Sequence, residues 1–285
     1  MAVEDLTRRT RAVEDAWCTA WASLGIVPAT PRTMVEATGD LVRVYTPGAP
    51  ETLLNIVLRH RGGTPSTAGE IERIIAPYRQ HQLPFQWWLV PGDEPPGLRE
   101  ALRALGMQTW GGATAMTLDL AGWQPPPGRA ALTGITGGRV ASARDAHDAL
   151  DIICDVFLVP PGPMARWTTE NPAFDVYLAR AGGHPVAALA TLRQGGVAGV
   201  YHVATLPGAR RRGFAGALLA QALHDARQAG CTLAALTATP EARHLYDELG
   251  FRACGIIEQW SAGRELIRDL TTGRRHPLGM DSVWD

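Results

Sequence analysis

Apolar positions recur along the chain with two periods, and the switches between them predict alternating helices and strands. From Arg11 to Leu24, Val13, Trp17, Trp21 and Leu24 fall at helical spacing and Gly25 supplies a stop, so an amphipathic helix is expected there. Leu41 to Thr46 and Thr52 to His60 are short runs of β formers on either side of Pro-Gly-Ala-Pro, which predicts a hairpin. Thr67 and Glu70 form a capping box ahead of Ile71, Ile74, Ile75 and Tyr78, placing a second helix up to about Gln80. Phe85 to Val90 then reads as a buried strand.

The same grammar continues beyond Gly122–Gly128, where three consecutive prolines can neither extend a helix nor donate to a central ladder. Ser142 with Asp145 opens a helix through Ala146, Ala149, Leu150, Ile153 and Phe157. Asp175 to Ala181 and Pro185 to Leu192 alternate around Gly182-Gly183, a hairpin signal. Val197 to Leu206 is a further strand. It leads through an Arg-rich glycine turn into a helix where Phe214, Leu218, Ala222 and Ala226 repeat every fourth residue.

Two segments match in plan. Phe85 to Met107 and Cys231 to Phe251 each read as strand, proline turn, short helix and Leu-Gly before an apolar residue. Leu98, Leu102 and Leu105 line one helix and Leu245 and Leu249 the other, each stopped by a glycine suited to a left-handed cap. This points to a duplicated unit. The expected organisation is a first domain over 1–121, a linker over 122–131, a second domain over 132–262 and a polar tail over 263–285. The fold class is α/β.

Composition removes several classes of chemistry. Hydrophobic residues make up 46% of 285 residues and charged ones 19%, enough to bury a core and too apolar for a disordered chain. All 27 basic residues are Arg, which excludes reactions that need a lysine amine, the P-loop and the kinase signature among them. A net charge of −1 gives no basic excess for nucleic acid. The four cysteines are scattered and form no C-x-x-C pair, no signal-peptide pattern precedes them, and no apolar run is long enough for a bilayer. A cytoplasmic, bacterial protein is expected. No H-x-x-x-H, H-E-x-x-H or G-x-S-x-G occurs, so neither a metal site nor a hydrolase elbow is expected.

The segment Val200 to Gly230 carries the chemistry. A helix N-terminus gathers free N–H groups and the positive end of the dipole, and Gly213 leaves room for an anion to approach. Arg210, Gly213 and Ala215 then stand as R-x-x-G-x-A between a strand and a helix. Leu245, Tyr246, Leu249, Gly250 and Phe251 stand as L-Y-x-x-L-G-F after the next strand. Together, over about Leu132 to Trp260, they resemble the GNAT superfamily of acyl-CoA-dependent N-acyltransferases. The first half looks like a degenerate GNAT repeat: Leu102 takes the place of Tyr246, and Arg61 to Gly69 does not reproduce the turn.

The resemblance implies two GNAT-like domains, each a mixed, mostly antiparallel sheet flanked by helices. It implies a CoA pyrophosphate on Arg210, Arg211, Arg212, Gly213, Phe214, Ala215 and Gly216. The pantetheine arm would lie along Val203, Ala204 and Thr205 as an added strand. Thr239 stands where many relatives have an Asn touching the cofactor. Tyr246 matches the general acid, since a phenol can protonate a departing thiolate. Many relatives carry a Glu as base on the strand before the turn; this chain has His202 there, and a base or a structural histidine are both open readings. Acetyl-CoA is the expected cosubstrate and a small-molecule amine the expected acceptor, a protein N-terminus being the lesser alternative. The competing readings are a non-catalytic acyl-CoA-binding module, another acyl group, or an acyl-CoA decarboxylation. The assembly expected is a monomer with an internal pseudo-dimer, or a homodimer. Trp87, Trp88 and Trp110 either line an apolar pocket in the first half or are buried packing.

Overall fold

A computed structural model describes residues 3–62, 64–127 and 135–262. The chain begins with α1 (Val3–Ala22), followed by β1 (Met34–Ala37), β2 (Leu41–Tyr45), β3 (Ile56–His60), α2 (Ala68–Gln80), β4 (Gln86–Leu89), α3 (Leu98–Ala104) and β5 (Met107–Asp119). It continues with β6 (Ile135–Arg139), α4 (Ala143–Phe157), α5 (Pro161–Trp167), β7 (Phe174–Ala181), β8 (His184–Gln194) and β9 (Val197–Thr205). The last elements are α6 (Phe214–Gln228), β10 (Leu233–Ala238), α7 (Pro240–Leu249) and β11 (Arg252–Ala262). The architecture is α/β, with mixed, mostly antiparallel sheet flanked by helices, as the pattern implied. Among the described residues no helix is long and apolar enough to cross a membrane.

Contacts divide the chain into two compact units, Trp17–Thr114 with Gly255–Asp285, and Met1–Ala16 with Ala115–Cys254. The divisions fall inside α1, β5 and β11 rather than at the proline run, so each unit is assembled from separate stretches of sequence. The first is here called the β1–β4 unit and the second the β6–β10 unit.

In the β1–β4 unit the strand order is β1-β2-β3-β4-β11-β5. The β2–β3 hairpin forms, but its second strand begins at Ile56 because Thr52–Leu54, expected as strand, is a 3₁₀ turn; β1 adds to its edge, antiparallel to β2. The capping box is realised: Thr67 Oγ1 accepts from the Glu70 N–H at 3.2 Å. One face of α2 then buries Ile71, Ile74, Ile75 and Tyr78 against Trp87, Leu89, Leu98, Leu102 and Trp260. Trp87 is sealed, and Trp88 meets Trp17 and Trp21 edge-on at 5.3 and 5.4 Å between centroids. These tryptophans are packing. The side chain of Trp110 lies outside the described residues.

In the β6–β10 unit the order is β11-β5-β10-β9-β8-β7-β6. Alternation splits the sheet between two helices. Tyr177, Ala179, Leu189 and Val200 join the α6 residues Phe214, Leu218, Leu219 and Leu223 in one core. Val176 and Leu178, on the other face of β7, are left for α4 with its buried Ile152, Ile153 and Val156. Ser142 caps α4 by accepting from the Asp145 N–H at 3.1 Å. Trp123, in the stretch expected as linker, donates its Nε1 to the Leu249 carbonyl at 2.9 Å, and Arg227 donates to the Trp123 carbonyl at 2.7 Å. The start of the proline run is therefore fastened to this unit. Residues 128–134 and 263–285, which include the rest of the expected linker and the expected tail, lie outside the described residues.

Candidate active site

The site is built where β9 and β10 part. These parallel strands pair at Leu233 with Val197, Ala234 with Ala198 and Ala235 with Gly199, and the ladder stops there although both strands continue. From Val200 onward, β9 is held only on its β8 edge. That edge is irregular: Ala190 pairs with Tyr201 and Ala188 with Ala204, so His202 and Val203 together oppose Leu189. This is a β-bulge, and His202 takes a left-handed backbone with φ 52°. A bulge bends its strand and breaks pairing, so β9 turns away from β10 and leaves a wedge-shaped opening between them.

The Arg-rich turn closes one end of the opening. Pro207–Ala209 forms a short 3₁₀ turn, Arg211 is left-handed at φ 62°, and Gly213 caps α6 with φ 84°. Only glycine adopts that last conformation without a Cβ penalty. The Ala217 N–H returns to the Gly213 carbonyl at 3.0 Å, so the helix starts at once. The N–H groups of its first turn are left without partners in the helix. Arg210 donates its Nε to the Thr205 carbonyl at 3.2 Å, while its Nη2 is buried with no hydrogen-bond partner. Arg212 stands over the Phe214 ring at 5.0 Å, and both Arg211 and Arg212 are exposed. An orphaned buried guanidinium nitrogen, a glycine cap and a 15-residue helix N-terminus fit a pyrophosphate.

The other expected donor contacts are placed as follows. Val203 and Ala204 lie on the stretch of β9 that β10 does not pair. The Thr205 carbonyl is already taken by Arg210, and Ala204 pairs with Ala188 of β8. Thr239 caps α7 without using its side chain in the cap, so its hydroxyl is exposed at the end of β10. Ala215 and Gly216 begin α6.

Tyr246 sits on α7, buried in the α6 core, its ring 5.8 Å from that of Phe251. Burial pushes its phenol well above the ordinary value of 10.0. The hydroxyl is therefore protonated at neutral pH, and the same burial makes it a weaker acid than an exposed phenol. His202 is different. Burial holds its imidazole far below 6.5, at about 3, so it is neutral and a weak base. Its ring lies edge-on to Trp167 at 4.4 Å and to Phe157 at 5.6 Å, and its Nε2 is shielded from solvent without a partner. Phe157 and Tyr201 fall on a predicted helix and strand, but Trp167 stands on α5, which begins Pro-Gly-Pro and gives no helical signal. Among the described residues no group of side chains is arranged to hold a metal ion.

Residues 146–251 match the acetyltransferase (GNAT) family. The fold is similar to that of a GCN5-related N-acetyltransferase from Kribbella flavida, with 25% identity and a TM-score of 0.66 over 86% of this chain and 95% of that one. It is also similar to a tandem GNAT protein from the clavulanic acid biosynthesis pathway, with 15% identity and a TM-score of 0.58 over 92% and 97%. A GCN5-related N-acetyltransferase from Sphaerobacter thermophilus follows, with 18% identity and a TM-score of 0.53 over 80% and 82%. No curated protein matches the sequence.

Proposed function

Because the chain belongs to the GNAT superfamily, with its acetyltransferase domain at residues 146–251 and a tandem arrangement, we propose that it transfers an acetyl group from acetyl-CoA to the amine of a small-molecule acceptor. The observation that carries this reading is the parting of β9 and β10 beneath the Arg210–Gly216 turn. An opening between two strands, with unpaired backbone on one wall and an anion cradle at its end, suits an extended ligand that ends in a diphosphate. Acetyl-CoA supplies the activated acyl group and the thiolate leaving group.

The chain's own residues then do three things. The first turn of α6 and the Arg210 guanidinium hold the diphosphate. Backbone N–H groups of the β9 bulge receive the carbonyl oxygen as it gains negative charge. Tyr246 gives its proton to the sulfur as the carbon–sulfur bond breaks and the new carbon–nitrogen bond forms. The proton lost by the amine leaves through water: His202, with a conjugate acid near 3, is far weaker than an alkylamine and takes it poorly. A carboxylate is absent from β9, so the acceptor attacks as its free base.

Thermal denaturation with and without saturating acetyl-CoA tests the donor. A ligand at 100 times its dissociation constant stabilises the folded state by about 2.7 kcal/mol. The midpoint is expected to rise by several degrees and the rise to vanish when Arg211 and Arg212 are changed to Ala. A shift accompanied by CoA release from a panel of amines supports the transferase. A shift with no release from any of them supports the binding module, and no shift removes the donor.

A further inference from the structure

The β9 bulge is the structural origin of the opening, and one residue makes it. In a strand, a left-handed residue other than glycine is uncommon and must be held by its surroundings. His202 at φ 52° is such a residue. Its ring is gripped from two elements: Trp167 of α5 at 4.4 Å and 75°, and Phe157 of α4 at 5.6 Å and 78°. Trp167 is fully buried, and its ring also meets Tyr201 and Phe174, each at 5.3 Å. Tyr201 is anchored in turn, its hydroxyl donating to the Ala16 carbonyl at 2.7 Å. The Tyr201 ring lies over Gly199, where a Cβ would come within 2.2 Å of the hydroxyl. Tyr201 and His202 are thus fixed by one aromatic cluster on the α4–α5 face.

Proton transfer fits this arrangement badly. A base must reach the amine, and the Nε2 of His202 is shielded with no partner, its ring enclosed edge-on by two aromatic neighbours. We infer that His202 is a positioning residue: its ring, wedged between Trp167 and Phe157, holds the left-handed kink that keeps the N–H groups of β9 directed into the opening. This deepens the proposed acetyl transfer and rests on it.

The consequence is a split between binding and turnover. The diphosphate cradle lies on the Arg210–Gly216 turn, away from the bulge in sequence and on a different element. Loss of the kink therefore leaves the diphosphate contacts of the first turn of α6 in place and bears on the thioester carbonyl more than on the pantetheine contacts at Val203 and Ala204. A misplacement of about 1 Å costs on the order of 100-fold in rate.

The test uses the full chain carrying His202→Asn or His202→Val, with kcat and KM for the amine and dissociation constants for CoA and acetyl-CoA. Asn accepts a left-handed backbone and Val resists it. Neither can act as a base. His202→Val is expected to lose about 100-fold in kcat while CoA binding and the amine KM stay within about threefold, and acetyl-CoA loses any advantage over CoA. His202→Asn is expected to keep kcat within about fivefold of wild type. Equal and large losses in both variants, with acetyl-CoA keeping its advantage over CoA, would overturn the inference in favour of proton transfer. Wild-type kcat in His202→Val would overturn it outright. If His202→Val does not fold, His202→Leu takes its place with the same expected order. A wild-type chain that neither binds nor uses acetyl-CoA refutes the functional reading itself, an outcome separate from the order of the variants.

Discussion

Changing Gly213 to Ala probes the cradle through backbone conformation alone. Gly213 caps α6 at φ 84°, a region that costs an L-residue roughly 1–2 kcal/mol. At about 2–4 °C per kcal/mol for a chain of this class, the unliganded midpoint is expected to fall by about 2–8 °C. The alternative to paying that cost is a rearranged turn, which moves the first N–H groups of α6 out of line, so the stabilisation by acetyl-CoA should shrink as well. Gly208 provides the control. It lies five residues upstream in the 3₁₀ turn, with no left-handed φ and no atom within 4 Å of the place where an alanine methyl would stand. Ala there restricts the unfolded chain and is expected to be neutral or to stabilise by about 0.4–1 kcal/mol. Differential scanning fluorimetry of both variants, with and without acetyl-CoA, gives all four values. A Gly213→Ala midpoint equal to wild type, or an equal loss from Gly208→Ala, would show that this turn is not constrained as described.

Tyr246→Phe should lower kcat by about 10²–10⁴-fold with the acetyl-CoA-induced thermal shift unchanged; a wild-type kcat removes the phenol from the chemistry. The folded state keeps His202 neutral down to about 3, whereas the unfolded chain takes up a proton near 6.5. The stability associated with this residue is therefore complete above pH 6.5 and is lost as pH falls from there towards 3. Urea midpoints at several pH values should fall less steeply in His202→Asn than in wild type across that interval, and parallel curves would contradict the burial. Ser142→Ala removes the cap on α4 and is expected to cost about 1 kcal/mol, read as a lower urea midpoint with an unchanged slope.

The sequence exposed those parts of the fold whose signals are local. The capping boxes at Thr67 and Ser142, the hairpin at Gly182-Gly183 and the fourfold repeat of α6 all appear where their residues placed them, because each depends on neighbours a few positions apart. Long-range pairing left no such trace. β5 is a strand of 13 residues interrupted in pattern by Gly111 and Gly112, and α5 begins Pro-Gly-Pro; neither is among the elements the local pattern predicts. At the site, the Arg-rich turn and its glycine-capped helix were legible because glycine, arginines and helix are contiguous. The bulge at His202 was not, since it exists only in the register between β8 and β9. The same register decides the setting of His202: its identity suggests a titrating base, while burial beside Trp167 and Phe157 keeps it neutral.

The two compact units each draw on distant stretches of the chain, and that has a consequence for biosynthesis. Residues 3–16 emerge from the ribosome well before Ala115–Cys254, with which they belong. At about 5–20 residues per second they wait roughly 10–50 s for their last partners. The β1–β4 unit waits as well, because its sheet needs the end of β11. The apolar face of α2 can close early on Trp87, Leu89, Leu98 and Leu102, and Trp17 and Trp21 on Trp88, but the seat of Trp260 in the same cluster stays empty until β11 is made. Translation of β11 is thus the event that completes both units.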